Sequence, residues 1–382
     1  MSPSPRLQIA SLTAGYVVAG LFWGMLAAAM PAFQAQAQLG DAGFGLALGL
    51  MALAAMPVMR MVGRYLHRIE ALAIPLSMTM FSLATLVLVA VPGLWGVLLG
   101  FILTGAASGA LDISLNNRTA RIEQDTGVRL FNRMHAAFPL SMLTASAVTG
   151  ALRDRGVSPD ILLIAVTLAL LLGAGIEYRA GRHVAHGRSA DDPVPGRARL
   201  TGPLIVLALM AASAAFQEAA SNGWVAIYVE NILSGGPLAA GLAPAAYVLG
   251  LAVGRIIAHM VEARITAMQT VRLAAFVALP AFALIAVGPA IPLTIALCFL
   301  AGCGVGPIEP AVFRATAHQA EAAGRGPALA AVTTITYMGY LLSPPALGLV
   351  AEYLGWPALW GSAAALSGVV VYLTTRLPRM AG

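Results

Sequence analysis

The sequence predicts an all-α polytopic membrane protein of twelve transmembrane helices, and three observations lead to it. Twelve long apolar runs follow one another, at residues 9–32, 43–62, 71–91, 94–117, 135–152, 161–178, 202–230, 238–259, 266–287, 290–313, 327–351 and 356–375. Each reaches about 18 residues or more, which at 1.5 Å per residue crosses a hydrocarbon core roughly 30 Å thick. The chain is 59% hydrophobic and only 10% charged, against roughly 25% charged residues in soluble domains. All 22 basic residues are arginine, and all but Arg153 and Arg155 lie near the termini or in every second gap between runs. Short arginine-rich loops stay in the cytoplasm, so both termini are expected inside.

The first run ends at Met30-Pro31 without a small-residue cleavage site, so it is expected to be the first membrane helix, not a cleaved signal. The net charge of +6 does not point to nucleic acid, because the arginines alternate with spans and form no contiguous basic face. Cys298 and Cys303 lie five apart in the tenth run. That spacing does not stack them on one helical face, so they read as small packing residues, with no disulfide or metal pair. No Walker-type glycine loop occurs, which argues against a directly ATP-driven pump, and no cofactor is expected. The longest polar segment, Glu177–Leu200, is rich in Arg, Gly, Asp and Pro and reads as a flexible cytoplasmic linker. The expected organisation is an N-terminal six-helix bundle at 1–178, a linker at 179–200 and a C-terminal six-helix bundle at 201–382.

Internal repetition supports two pseudo-symmetric halves. The second run ends in Gly63-Arg64, followed by His67 and Arg68; the eighth ends in Gly254-Arg255, followed by His259 and Arg264. A sharper echo links Gly105-x-x-x-Gly109-x-x-Asp112 in the fourth run to Gly302-x-x-x-Gly306-x-x-Glu309 in the tenth. Positions i, i+4 and i+7 line one helical face, with glycines allowing close helix approach and the acid beside them. Parallel repeats of this kind characterise a large class of secondary transporters.

With these features the chain resembles the major facilitator superfamily over essentially its whole length. The family's loop between spans two and three, of the type Gly-x-Leu-Ala-Asp-Arg-x-Gly-Arg-Arg, reads here Gly63-Arg64-Tyr65-Leu66-His67-Arg68-Ile69-Glu70, with histidine at the acidic position. Three further stretches are similar to a bacterial branch loosely related to sugar permeases: Leu111–Asn116, Met134–Phe138, and Glu218–Trp224 followed by Tyr228. Relatives usually carry Asp before the tryptophan of the last stretch, where this chain has Gly223. The arginine often found early in span four of proton-driven drug exporters is absent, with Phe101 near that place.

A charged side chain near mid-bilayer costs roughly 2.5–3.5 kcal/mol on insertion scales, so Asp112, Glu218 and Glu309 stand out as proton-coupling candidates. Glu218 falls near mid-depth of the seventh run, between Gln217 and Asn222. Two readings stand: a carboxyl that binds a proton reversibly, which gradient coupling requires, or a permanently neutral one holding span seven to its neighbours; the first is favoured. Asp112 and Glu309 lie deeper, near Arg118, Arg314 and the Gly-Arg turns. There they read either as gate-closing ion pairs or as static interfacial bridges. Gly63, Arg64, Arg68, Gly254 and Arg255 are the gating candidates. His135, at the inner start of span five, joins them, since imidazole changes charge near neutral pH.

The resemblance implies that spans one, four, seven and ten line a central cavity. It thereby implies substrate contacts from Phe22, Trp23, Asn116, Asn117, Gln217, Asn222 and Trp224, besides Glu309. In span eleven, Tyr337 and Tyr340 lead into Ser343-Pro344-Pro345, where missing N–H groups predict either a hinge or a fixed bend; Tyr337 is a further candidate for substrate contact. The expected function is a secondary transporter of the bacterial inner membrane. It would move a small neutral or amphipathic organic solute by alternating access, coupled to protons and with export favoured. Import of a sugar or other metabolite is the alternative direction, and a transport-inactive receptor or scaffold with the same fold is the alternative class. An enzyme is not expected, since no metal, nucleophile or paired-carboxylate constellation occurs at workable spacing. The solute, protons and the lipid bilayer are the expected partners, nucleic acid is not, and the chain is expected to act as a monomer.

Overall fold

A computed structural model of the chain describes residues 5–181, 201–319 and 325–376, and among these the secondary structure is helical throughout. The chain divides into two compact units, Met1–Ala190 and Asp191–Gly382. Residues 182–200 of the expected linker lie outside the described residues, and residues 179–181 are still helical.

The first unit holds α1 (Pro5–Ala37), α2 (Asp41–Ala90), α3 (Gly93–Thr126), α4 (Phe131–Asp154) and α5 (Pro159–Gly181). The second holds α6 (Gly202–Ile227), which continues into a π-helical turn (Tyr228–Ile232), then α7 (Gly236–Val261) and α8 (Ala267–Ala286). It closes with α9 (Ile291–Val305), α10 (Ile308–Gln319), α11 (Arg325–Leu354) and α12 (Trp356–Arg376).

These helices do not match the twelve expected runs one for one. Runs two and three share the helical stretch α2. A straight helix of 50 residues would be about 75 Å long, yet both ends of α2 meet the end of α1. Gln34 Nε2 donates to Asp41 Oδ1 at 2.8 Å, while Gln36 Nε2 donates to the Leu88 carbonyl at 3.1 Å. The path of α2 therefore reverses between its two apolar stretches, Asp41–Leu66 and Ala71–Ala90. Run ten is instead divided, as α9 and α10, around Gly306-Pro307. Proline at 307 and at 310 removes two backbone donors from successive turns, which ends the first helix and restarts the second.

Ten helical stretches among the described residues are long and apolar enough to cross a membrane. Expected runs 135–152 and 327–351 form α4 and α11 but are not among the ten. Ser141, Thr144, Ser146 and Thr149 dilute the first, and Thr333, Thr334, Thr336 and Ser343 the second. Ser141, Thr144, Thr334 and Thr336 bond back to a carbonyl three or four residues earlier, as Thr144 does to Leu140 at 2.7 Å and Thr336 to Val332 at 2.9 Å. Helix α11 continues through Pro344-Pro345. Ser343 Oγ there donates across to the Phe216 carbonyl of α6 at 2.7 Å.

The glycine repeat does the same job in both units. A methyl group on Gly105 would run into the Met51 carbonyl oxygen of α2, and one on Gly109 would stand 2.6 Å from that of Ala55. A methyl group on Gly302 would run into the Tyr247 carbonyl oxygen of α7, and one on Gly306 would stand 2.5 Å from that of Leu251. Backbone thus meets backbone at two successive turns, which small residues alone permit. A methyl group on Gly175, in α5, would meet nothing within 4 Å. Gly105→Ala and Gly302→Ala are each expected to lower stability by about 1–3 kcal/mol through overpacking, with Gly175→Ala close to neutral. Thermal unfolding of the purified variants checks the contrast, and equal losses at all three positions would refute it.

Candidate functional site

In the second unit, four helices bring together two carboxylates, one guanidinium and two phenols. Glu218 of α6 faces Arg255 of α7, with 3.9 Å between Oε2 and Nη2. This pair sits at the outer limit of ion pairing and both side chains are only partly buried. Arg255 is fixed at another nitrogen, since its Nε donates to the Gly306 carbonyl at 3.1 Å. That carbonyl is available for a chemical reason: its helical partner would be the N–H of residue 310, which is proline. The close approach at Gly254, where a methyl group would collide with the Cys303 carbonyl, brings Arg255 to the broken turn.

Glu309 lies in the first turn of α10 and accepts a hydrogen bond from the Tyr340 hydroxyl of α11 at 3.3 Å. Glu218 and Arg255 both lie within electrostatic reach of it. Tyr247, the single hydroxyl of the apolar stretch 237–254, is within reach of Glu218 and Arg255 as well. Two carboxylates facing one guanidinium leave one negative charge uncancelled, and one proton balances it. The sequence placed Arg255 at a cytoplasmic turn and Glu218 at mid-depth; the packing of α6 on α7 brings the two together, and that of α7 on α9 seats Arg255 at the broken turn.

The first unit arranges the matching acid differently. Asp112 accepts from Asn116 Nδ2 at 3.0 Å, and Asn116 Oδ1 accepts from the Tyr16 hydroxyl of α1 at 3.1 Å. Thr119 Oγ1 lies 3.2 Å from the same hydroxyl. The His135 ring stands 5.9 Å from that of Tyr16 and stacks on Phe131 at 6.0 Å, within electrostatic reach of Asp112. In the glycine register, Tyr247 matches Met51, so Arg255 matches Met59. The first unit therefore presents no guanidinium at that place. The same register sets Gly254 opposite Val58, so the Gly63-Arg64 echo is one of sequence, not position. A methyl group on Gly63 would meet nothing within 4 Å, and Arg64 and Arg68 gather over the Tyr65 ring at 5.7 and 5.6 Å.

Several expected substrate contacts are packed inside their own unit. Gln217 is 0% exposed and donates to the Ala363 carbonyl and Ser367 Oγ of α12 at 3.2 and 3.1 Å. Phe22 is fully buried edge-on to Phe81 at 4.7 Å, and Trp224 edge-on to Trp356 at 5.9 Å. Trp23, Asn116, Asn117 and Asn222 are partly buried, and Tyr337 is exposed with its ring 6.2 Å from that of Tyr340. Arg314 does not join Glu309; it donates to Glu262 at 2.8 Å, and His259 meets the same carboxylate at 2.9 Å. Among the described residues, no group of three or more His, Cys, Asp or Glu is disposed to hold a metal ion.

A sequence model of the Major Facilitator Superfamily matches residues 12–324 and again 207–381. The chain belongs to the Major Facilitator Superfamily. It is thus a multi-pass membrane protein of a transporter family. This superfamily member is 24% identical to an uncharacterised transporter, y4wD, of Sinorhizobium fredii, over 89% of this chain and 90% of that one. It is 22% identical to the membrane protein MosC of Rhizobium meliloti, over 93% and 86% of the two chains. Its fold is similar to that of the nucleoside transporter NupG (D323A mutant), with a TM-score of 0.76, 12% identity and coverage of 97% and 99%.

Sequence reasoning missed one charged pair in this facilitator. Glu177, read as the start of the linker, is 2% exposed at the end of α5, and Arg118 of α3 is 5% exposed. They lie within electrostatic reach of each other, with Ser11 of α1 beside Glu177, and among the described residues Arg118 Nη2 and Glu177 Oε1 have no hydrogen-bond partner. The signal in the sequence was an acid within one turn of an apolar run's end. Removing one member strands the other's charge, so Glu177→Gln should cost about 3–5 kcal/mol of stability. The double change Arg118→Met/Glu177→Leu should cost clearly less. Denaturant unfolding in detergent decides, and a double change at least as costly as the single one would contradict the assignment.

Proposed function

We propose that the chain is a proton-coupled secondary transporter, with the Glu218–Arg255–Glu309–Tyr340 cluster as its proton site. The single observation that carries this reading is the imbalance of charge in that cluster, where two acids share one arginine. A proton arriving at either carboxyl neutralises the group and frees Arg255 from one of its two counter-charges. A charge-neutral cluster is cheaper to move through a state shielded from water than a charged one. That difference couples proton binding to alternating access.

The arginine distribution supports twelve traverses with both termini in the cytoplasm, so that the chain lies in the bacterial inner membrane. The division at 178 and 201 then marks two six-helix bundles joined by a cytoplasmic linker. The partly buried Trp23, Asn116, Asn117 and Asn222 and the exposed Tyr337 suit a small neutral or amphipathic organic solute, and export is the direction favoured. Asp112, with His135 and Tyr16 around it, is the corresponding polar group of the first unit and the place for a second proton-responsive contact.

Glu218→Gln is expected to abolish uphill, gradient-driven transport in proteoliposomes while solute exchange at equal concentrations continues. The solute is first found by thermal stabilisation of the purified protein against sugars, siderophore-like products and drugs. Uphill transport at the parental rate in Glu218→Gln would overturn the proposal.

A further inference from the structure

Tyr247 is a buried polar group beside the proton site, and its chemistry is unfinished. Its side chain is 1% exposed, and among the described residues its hydroxyl has no hydrogen-bond partner. Leaving a buried hydroxyl unpaired costs about 1–3 kcal/mol, so a partner in another state of the protein explains its presence better than packing does. Its backbone is pinned, because the Tyr247 carbonyl lies against Gly302 of α9. Ser221 of α6 stands beside the Tyr247 hydroxyl; its own proton goes to the Gln217 carbonyl at 3.0 Å, so toward Tyr247 it can act only as an acceptor.

The two acids of the cluster differ in one respect. Glu309 has its phenol, Tyr340, within hydrogen-bond distance. Glu218 has a phenol within electrostatic reach but is held toward Arg255 instead, at 3.9 Å. The groups that face Glu218 are Arg255 and Tyr247 from α7, Glu309 from α10 and Tyr340 from α11; Cys298 of α9 lies within electrostatic reach of Tyr247.

Resting on the proton reading above, we propose that Tyr247 is the positioning residue for protonated Glu218: the carboxyl leaves Arg255 and hydrogen-bonds the Tyr247 hydroxyl when it binds its proton. The balance is simple. One proton from the aqueous phase forms an O–H bond on Glu218, whose charge falls from −1 to zero. The contact with Arg255 breaks, and Arg255 keeps the Gly306 carbonyl and the charge of Glu309. Tyr247 retains its own proton throughout. Deprotonation reverses each step.

The test is infrared difference spectroscopy of the full chain in lipid vesicles during a pH titration, with protons as the only ligand. A protonated-carboxyl band that disappears in Glu218→Gln identifies the group. In Tyr247→Phe that band should shift to higher frequency, as for a carboxyl that has lost a hydrogen bond. Its midpoint should fall by about one pH unit, the equivalent of one neutral hydrogen bond to the protonated form. An unchanged band and midpoint would overturn the role of Tyr247 and leave the proton site standing. Absence of any Glu218-dependent band in the parent would overturn both. A measurement on the parent guards against a Tyr247→Phe protein that does not fold. A tyrosine C–O–H band should titrate together with the Glu218 band and persist in Tyr340→Phe, and failure to co-titrate overturns the proposal.

Discussion

An ionised side chain held away from water needs an opposite charge or a proton, and in the second unit Glu218 and Glu309 face one guanidinium, that of Arg255. Everything distinctive about that unit follows from how the guanidinium reaches them. Glycines at 250, 254, 302 and 306 let α7 and the α9–α10 segment touch backbone to backbone. Pro310 withdraws the donor that would have closed the turn at Gly306, and the open carbonyl becomes a seat for Arg255. A packing device and a missing N–H together place a cation between two carboxylates. No specialised loop is needed.

The same glycine device operates in the first unit without the charge. There Met51 and Met59 occupy the positions of Tyr247 and Arg255, and Asp112 relies on Asn116 and the Tyr16–Thr119 pair. One structural plan therefore carries two electrostatic solutions. In the first unit the buried opposite charges lie elsewhere, at Arg118 and Glu177, where α3 meets α5 near Ser11. The repeat is one of backbone packing, and its two copies carry different charged groups.

How much could be read from the amino acids depended on the scale of the physics. Apolar runs and arginine placement are averages over many residues, so the helical, membrane-spanning class was plain from them, while the resemblance to the superfamily drew on short motifs as well. The Gly-x-x-x-Gly-x-x-acid echo was legible too, because close backbone approach imposes a strict spacing. Side-chain direction was not. Gln217 and Glu218 are neighbours in sequence, yet Gln217 turns into α12 and Glu218 toward Arg255, a choice made by helix rotation within the packed unit. Phe22 and Trp224 looked like cavity residues and are core for the same reason. The Gly63-Arg64 echo of Gly254-Arg255 was misleading, because a two-residue match carries little positional information. Tyr247 was invisible as a lone hydroxyl among apolar residues until its burial without a partner was seen. Glu177 was hidden by the polar composition that follows it.

On the proposed reading, Glu218 and Glu309 share one proton because they share one arginine. Difference potentiometric titration of the purified parent against Glu218→Gln, Glu309→Gln and the double variant tests it most directly. Each single variant should lose the same one proton per chain as the other, because one remaining carboxylate is fully balanced by Arg255. Single variants that still bind the proton, with loss only in the double variant, would contradict it.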